Sequence, residues 1–253
     1  DMGTVMHEAL EKFSKKLQEN GETWKTVTDD TRDRLIEECV EETMADYGNT
    51  IFHSSSRNQY RIIRVKRILK RTVWALQQQI RQGEFEPGEF EVSFSMEDSL
   101  SAINIDLSEH EKMRLRGRID RVDLCETDDK VYVKIIDYKT GNTSLDLVAL
   151  YYGLQLQLAV YLDAAMELEQ KKHPGKQVEP AGVFYYHIDD PMLDQEEDET
   201  DEAWGRRMLK ALRMDGLVNA DRKVVELLDR VLEDGTTSDV IPVGKKKDGS
   251  YTS

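Results

Sequence analysis

Near the middle of the chain, Asp120, Asp137 and Lys139 are spaced so that they could do chemistry together. Residues 117–141, GRIDRVDLCETDDKVYVKIIDYKTG, read as two β-strands joined by a tight turn at Asp128 and Asp129. With those two acids as the central turn residues, an antiparallel register pairs Thr127 with Lys130 and, counting outward, Asp120 with Asp137. Directly opposed residues hold their Cβ atoms about 4.5–5.5 Å apart, a separation at which two carboxylates repel each other. A divalent cation resolves that repulsion, and oxygen ligands on rigid strands suit Mg²⁺ or Mn²⁺. Lys139 is two residues beyond Asp137 and therefore on the same strand face. Its ammonium could orient a water nucleophile or offset charge building on a phosphate. The alternative is that Asp120 and Asp137 simply end a hairpin and pair with Arg121 and Lys139, since a lone Asp-x-Lys often occurs by chance.

Alternation on these strands places Val131, Val133, Ile135, Asp137 and Lys139 on one face. On the partner strand it groups Arg118, Asp120, Val122 and Leu124. Ahead of the hairpin, the pattern predicts three helices. The first, over residues 4–19, is capped by Thr4 and buries Val5, Met6, Ala9, Leu10, Phe13 and Leu17, with His7 near its start as a potential imidazole ligand. The second spans about 30–47. The third spans about 58–82, turns Ile62, Val65, Ile68, Leu69, Val73 and Leu76 inward, and ends at Gly83. A Pro-Gly turn at 87–88 leads into a strand over 89–95, where Glu91 is either the solvent half of an alternation or an approach to the metal from a neighbouring strand. A short strand is expected at 102–105.

Beyond the hairpin, one long helix is expected over 146–171. Its Leu147, Leu150, Tyr151, Leu154, Leu158, Leu162 and Ala165 would pack on the sheet, and Gln157 and Tyr161 would be neighbours on one flank. A strand over 181–187, an acidic loop to 202, and helices over 204–214 and 223–233 complete the reading. Helices followed by a meander of strands predict an α/β or α+β layered domain, a mixed sheet flanked by helices. Residues 1–84 would form an N-terminal helical flank and 85–253 the sheet-bearing part, integrated as one domain.

The chain has 253 residues, 39% hydrophobic and 34% charged, with two cysteines and a net charge of −15. No apolar run reaches membrane-spanning length and no signal peptide is visible, and Cys39 with Cys125 makes neither a disulfide framework nor a metal knuckle, all of which fits a reducing cytoplasm. The first residue, Asp1, and the polar end KKKDGSYTS suggest a piece of a longer protein. The acidic total argues against a nucleic-acid partner, but its distribution does not. Nine acids crowd residues 189–202, whereas residues 57–71 hold seven Lys or Arg and no Asp or Glu. On a helix, Arg57, Arg61, Arg64 and Arg71 form a basic stripe suited to DNA phosphates, or a merely solvated face.

The order of the motifs is GTVMHEALEKF with His7, then Glu91, GRIDRVD with Asp120, IIDYKTG with Asp137 and Lys139, and QLAVY with Gln157 and Tyr161. It resembles the RecB-type branch of the PD-(D/E)XK nucleases, and the wording of residues 117–165 is most similar to the nuclease domains of AddB/RexB-type subunits of bacterial helicase-nuclease complexes. The resemblance implies a restriction-endonuclease-like core. It further implies metal held by His7, Asp120, Asp137 and the carbonyl of Tyr138, with Lys139 assisting the water and Gln157 with Tyr161 organising the site and touching the DNA backbone. The implied reaction is in-line attack of water on phosphorus without a covalent enzyme intermediate, in an exonuclease that processes double-strand breaks beside an AddA-type subunit. Full-length members carry four cysteines for a 4Fe-4S cluster, which Cys39 and Cys125 are not placed to supply. Two other readings are a non-catalytic DNA-guiding or docking module on the same fold, and a stand-alone nuclease of the superfamily.

Overall fold

The computed structural model describes residues 2–47, 56–95, 106–108, 111–112, 116–152, 155–194 and 198–252, with side chains undescribed at 56–58, 94–95, 106–108, 111–112 and 116. Helix α1, Met2–Glu19, buries Val5, Met6, Ala9, Leu10, Phe13 and Leu17, the stripe read from the sequence. It begins earlier than expected, so Thr4 lies inside the first turn instead of capping it. The reason is packing: Gly3 lies so close to the chain beyond the hairpin that a Cβ there would come within 3.0 Å of Thr140 Oγ1. Helix α2, Asp29–Asp46, is capped by Thr28, whose side chain accepts from the Thr31 N–H. Helix α3 is Ser56–Gln82 and buries Val65, Ile68, Leu69, Val73 and Leu76, with Ile62 half-buried.

Strand β1, Glu86–Ser95, absorbs Pro87 and Gly88, which were expected to turn. The pairing register shifts between Pro87 and Glu89. β1 is the sheet's edge, where a missing N–H and a bulge are tolerated. Two short strands follow, β2 (Asp106–Ser108) and β3 (Glu111–Lys112), paired with each other, while the strand expected at 102–105 falls outside the described residues. The hairpin is β4, Arg116–Glu126, and β5, Lys130–Lys139. Its register runs from Glu126↔Val131 to Arg121↔Ile136, and the Thr127 N–H donates to the Lys130 carbonyl at 2.8 Å, as the turn at Asp128 and Asp129 predicted.

The long helix expected next is two helices, α4 (Leu147–Tyr151) and α5 (Gln157–Lys172). Asp146 caps α4. The Gln155 side chain ties the intervening chain back, accepting from the Asp146 N–H and donating to the Ser144 carbonyl. The sequence between them contains Gly153, a poor helix former. Leu147, Tyr151 and Tyr152 consequently stand exposed instead of packing on the sheet. Strand β6, Gln177–His187, runs parallel to β5. Helix α6, Asp201–Ala211, is capped by Thr200. Strand β7, Asp215–Val218, was not anticipated. It uses Gly216, taken from sequence as a helix end, to approach β6 so closely that any Cβ would strike the Val183 carbonyl. Helix α7, Arg222–Leu228, is shorter than expected, and a small sheet of β8 (Thr236–Thr237), β9 (Gly244–Lys245) and β10 (Tyr251–Thr252) follows it.

The central sheet has order β1-β4-β5-β6-β7 and is mixed, with β5 and β6 its parallel pair. Both faces of β5 are covered. Tyr132, Ile136 and Tyr138 join a core with α1, α2 and α3, whereas Val131, Val133 and Ile135 join a second core with Leu158, Tyr161 and Ala165 of α5. Buried in the first core's side of the hairpin is an ionic group. Arg121 grips Asp123 with two hydrogen bonds of 2.6 and 2.7 Å, and Lys134 reaches the same carboxylate at 3.0 Å. Burial alone would raise the Asp123 pKa, but the two cations hold it below the usual carboxylate range. Burial and Arg121 push the Lys134 ammonium down against the pull of Asp123.

Candidate metal centre

The hairpin's open end meets the start of α1. With Gly3 seated against Thr140, the next turn of α1 brings His7 to β4, where Nδ1 lies 3.5 Å from Asp120 Oδ1. The edge of the His7 ring packs against Tyr138, with centroids 5.9 Å apart and planes at 83°. Glu91 completes the group: ligand atoms of His7, Glu91 and Asp120 all lie within 4.8 Å of one another. Glu91 adopts a left-handed backbone, φ 53°, which a non-glycine residue rarely holds. The β1–β4 register pairs Phe90 with Arg121 and Val92 with Ile119, and Glu91 and Asp120 lie between those pairs.

Asp137 and Lys139 form the neighbouring half. Lys139 Nζ is 2.6 Å from Asp137 Oδ2, an ion pair whose angle does not make a hydrogen bond, and that oxygen is otherwise buried without a partner. Burial pushes the Asp137 carboxyl above its ordinary range; Lys139 opposes the rise and the charge of Asp120 adds to it. Burial would lower the Lys139 pKa, yet its contact with Asp137 raises it. Lys139 also sits over the ring of Tyr185, 5.0 Å from its centroid.

The sequence expectation of two opposed acids on one ion is therefore met by a different grouping. Asp120 faces His7 and Glu91, and its Oδ2 accepts from the Tyr138 N–H at 2.7 Å, while the Asp137 carboxylate is held by Lys139 outside that group. The strand alternation breaks here: Ile119 and Val122 both enter the second core, so Asp120 does not simply follow Val122 and Leu124. Arg121, named as a partner for Asp120, is committed to Asp123 and to the Tyr138 hydroxyl. Gln157 donates to the Tyr161 hydroxyl at 2.7 Å, the flank pair expected from their spacing.

Much of the basic stripe on α3 is engaged. Arg67 and Arg71 reach Asp190, Lys66 reaches Glu41 and Lys70 reaches Glu37, while Arg71 also covers the Trp204 ring. Arg61 and Arg64 are exposed, and the side chain of Arg57 lies outside the described residues.

Sequence reasoning missed Arg118 and Tyr185. Arg118 contacts the Glu91 carboxylate through Nε and lies 3.5 Å from Glu11 through Nη2. Its signal was its place two residues ahead of Asp120. Tyr185 could have been found only from the parallel register that sets it opposite Asp137.

The donor set fits a hard divalent ion: two carboxylates and an imidazole converge, with a third carboxylate close enough to feel the first. The cysteines do not fit an iron–sulfur cluster. Cys39 and Cys125 are buried free thiols on separate elements, and two thiolates do not furnish the four such a cluster takes.

Residues 1–240 match the model of the PD-(D/E)XK nuclease superfamily. The chain belongs to this superfamily. The five-strand mixed sheet with helices on both faces is the corresponding restriction-endonuclease-like fold. The chain is 48% identical, over its whole length, to an ATP-dependent helicase/deoxyribonuclease subunit of the AddB type from Lachnoclostridium phytofermentans. It is 41% identical over 98% of its length to the like-named protein from Alkaliphilus metalliredigens, and 36% identical over 99% to that of Clostridium tetani. It spans 21 to 22% of the length of these relatives. Among the described residues, no helix is long and apolar enough to cross a membrane.

Proposed function

We propose that this protein is a divalent-metal-dependent deoxyribonuclease that hydrolyses phosphodiesters of one DNA strand. In this reading it acts exonucleolytically, beside an AddA-type helicase subunit, in cytoplasmic processing of double-strand breaks. The observation that carries the reading is the convergence of His7, Glu91 and Asp120 at the hairpin end where Lys139 holds Asp137. The names of the relatives, helicase/deoxyribonuclease subunits, support the setting.

His7, Asp120 and Asp137, with Glu91 and the Tyr138 carbonyl, would hold Mg²⁺ or Mn²⁺. A bound ion supplies Lewis acidity toward a phosphoryl oxygen and lowers the pKa of water. Asp120 is oriented for its part by the Tyr138 N–H, and His7 by the Tyr138 ring. Lys139 carries a fixed positive charge beside the reacting phosphate and exchanges its contact with Asp137 for one with the water or an equatorial oxygen. Gln157 and Tyr161, already joined, and the exposed Arg61 and Arg64, with Arg57, contact the DNA backbone. Residues 1–84 and 85–253 act as one catalytic unit, since the first core draws residues from both.

The test is loss of an end-labelled DNA strand with Mg²⁺ or Mn²⁺ and its suppression by chelator. Lys139→Ala is expected to lower kcat by about 10²–10³, the cost of removing one positioned electrostatic stabiliser, while leaving Mn²⁺ binding intact. Asp137→Ala is expected to remove cleavage. Undiminished cleavage after either change refutes the proposal.

A further inference from the structure

We propose that Arg118 is a resident counter-cation of the candidate metal centre, which a divalent ion must displace from Glu91 in order to bind; the inference rests on the nuclease reading above. Arg118 lies on β4 two residues before Asp120, and its guanidinium contacts two carboxylates, Glu91 on β1 through Nε and Glu11 on α1 through Nη2 at 3.5 Å. The arginine side chain is 56% exposed, whereas those of Glu91 and Glu11 are 9% and 17% exposed. An outer cation therefore covers two shielded acids, one of which belongs to the group that would hold the ion.

The two acids differ in what they keep if the guanidinium leaves. Glu11 retains Lys15, 2.5 Å away on the next turn of α1. Among the described residues, Glu91 has no second cation. The left-handed backbone of Glu91 holds its carboxylate between Arg118 on one side and His7 with Asp120 on the other. The guanidinium stays charged at any working pH, so it cannot give way by losing a proton. An ion entering that group meets a like charge within a few ångströms and competes for the same carboxylate, and the two occupancies oppose each other as negatively coupled ligands do. Metal loading turns Glu91 inward and leaves Arg118 at the mouth of the site.

The experiment is calorimetric titration of the protein with Mn²⁺, without DNA, on wild type, Arg118→Gln, Arg118→Ala and Arg118→Lys, each checked by its thermal melt. The two neutral variants are expected to bind Mn²⁺ roughly three- to tenfold more tightly, the scale of removing one partly screened charge beside the ion, and Arg118→Lys to stay near wild type. In a Glu91→Gln background the Arg118→Gln change is expected to lose its effect, because the carboxylate they compete for is gone. Unchanged or weaker binding in folded neutral variants overturns the inference while leaving the nuclease reading intact, provided wild type binds and Asp120→Asn does not. Failure of wild type to bind Mn²⁺ overturns both.

Discussion

Glu91 carries two burdens that a residue in an ordinary strand does not. Its φ of 53° lies where a β-carbon is disfavoured, and its carboxylate stands among His7, Asp120 and Arg118. A non-glycine residue in the left-handed region costs on the order of 1 kcal/mol, a strain typically kept where a site needs it. Glycine would relieve that strain while losing an exposed ion pair worth at most about 1 kcal/mol. Glu91→Gly is therefore expected to keep its unfolding free energy within about 1 kcal/mol of wild type in urea melts, while its Mn²⁺ affinity falls. Loss of stability together with unaltered metal binding would make Glu91 a structural residue. Sequence left Glu91 between solvent face and ligand, and the structure decides its position through a backbone angle that alternation cannot encode.

The β4–β5 hairpin is held at its core by charges as well as by apolar packing. Asp123 accepts from Arg121 and lies 3.0 Å from Lys134, all three buried, with Arg121 also under the Trp24 ring. Removing the one anion strands two buried cations, so Asp123→Ala is expected to cost about 3–5 kcal/mol of unfolding free energy. The pH dependence follows from the sign of the shift. The folded pKa of Asp123 is depressed below its ordinary 3.8, so the carboxylate's contribution is fully present above that value and is lost as pH falls through the folded one. Acid unfolding of wild type should steepen below pH 3.8, and Asp123→Asn should flatten it, as read by circular dichroism against pH. The same network explains why Arg121 is not available to Asp120: the strand turns alternate residues into different cores, and Arg121 and Asp123 face the helical one.

For the whole molecule, burial and charge set how the protein meets reagents and partners. Burial pushes the Cys39 thiol up to about 12 and raises that of Cys125, so neither is a nucleophile at neutral pH. A thiol reagent should find no reactive cysteine in the native protein and two after denaturation; rapid native reaction would contradict the burial described. With a net charge of −15, DNA must be met by local positive groups, and several cations of the α3 stripe are held by Glu37, Glu41 and Asp190. By itself the sequence determined what is local. The turn at Asp128 and Asp129 fixed the register through Arg121↔Ile136, and helical periodicity fixed the buried stripes of α1 and α3, because spacing alone sets which residues share a face or oppose across a hairpin. The mixed five-strand sheet was legible as a class, but β7 and the break between α4 and α5 were not. Gly216 serves a close approach to another strand, and a side chain of Gln155 ties off the helix, neither of which leaves a periodic trace. Only the tertiary structure decided that His7 and Glu91 gather on Asp120 while Lys139 keeps Asp137, and that Arg118 stands over them. Those residues come from α1, β1, β4 and β5, and contacts between distant segments depend on how the two cores pack against the sheet, which no local spacing specifies.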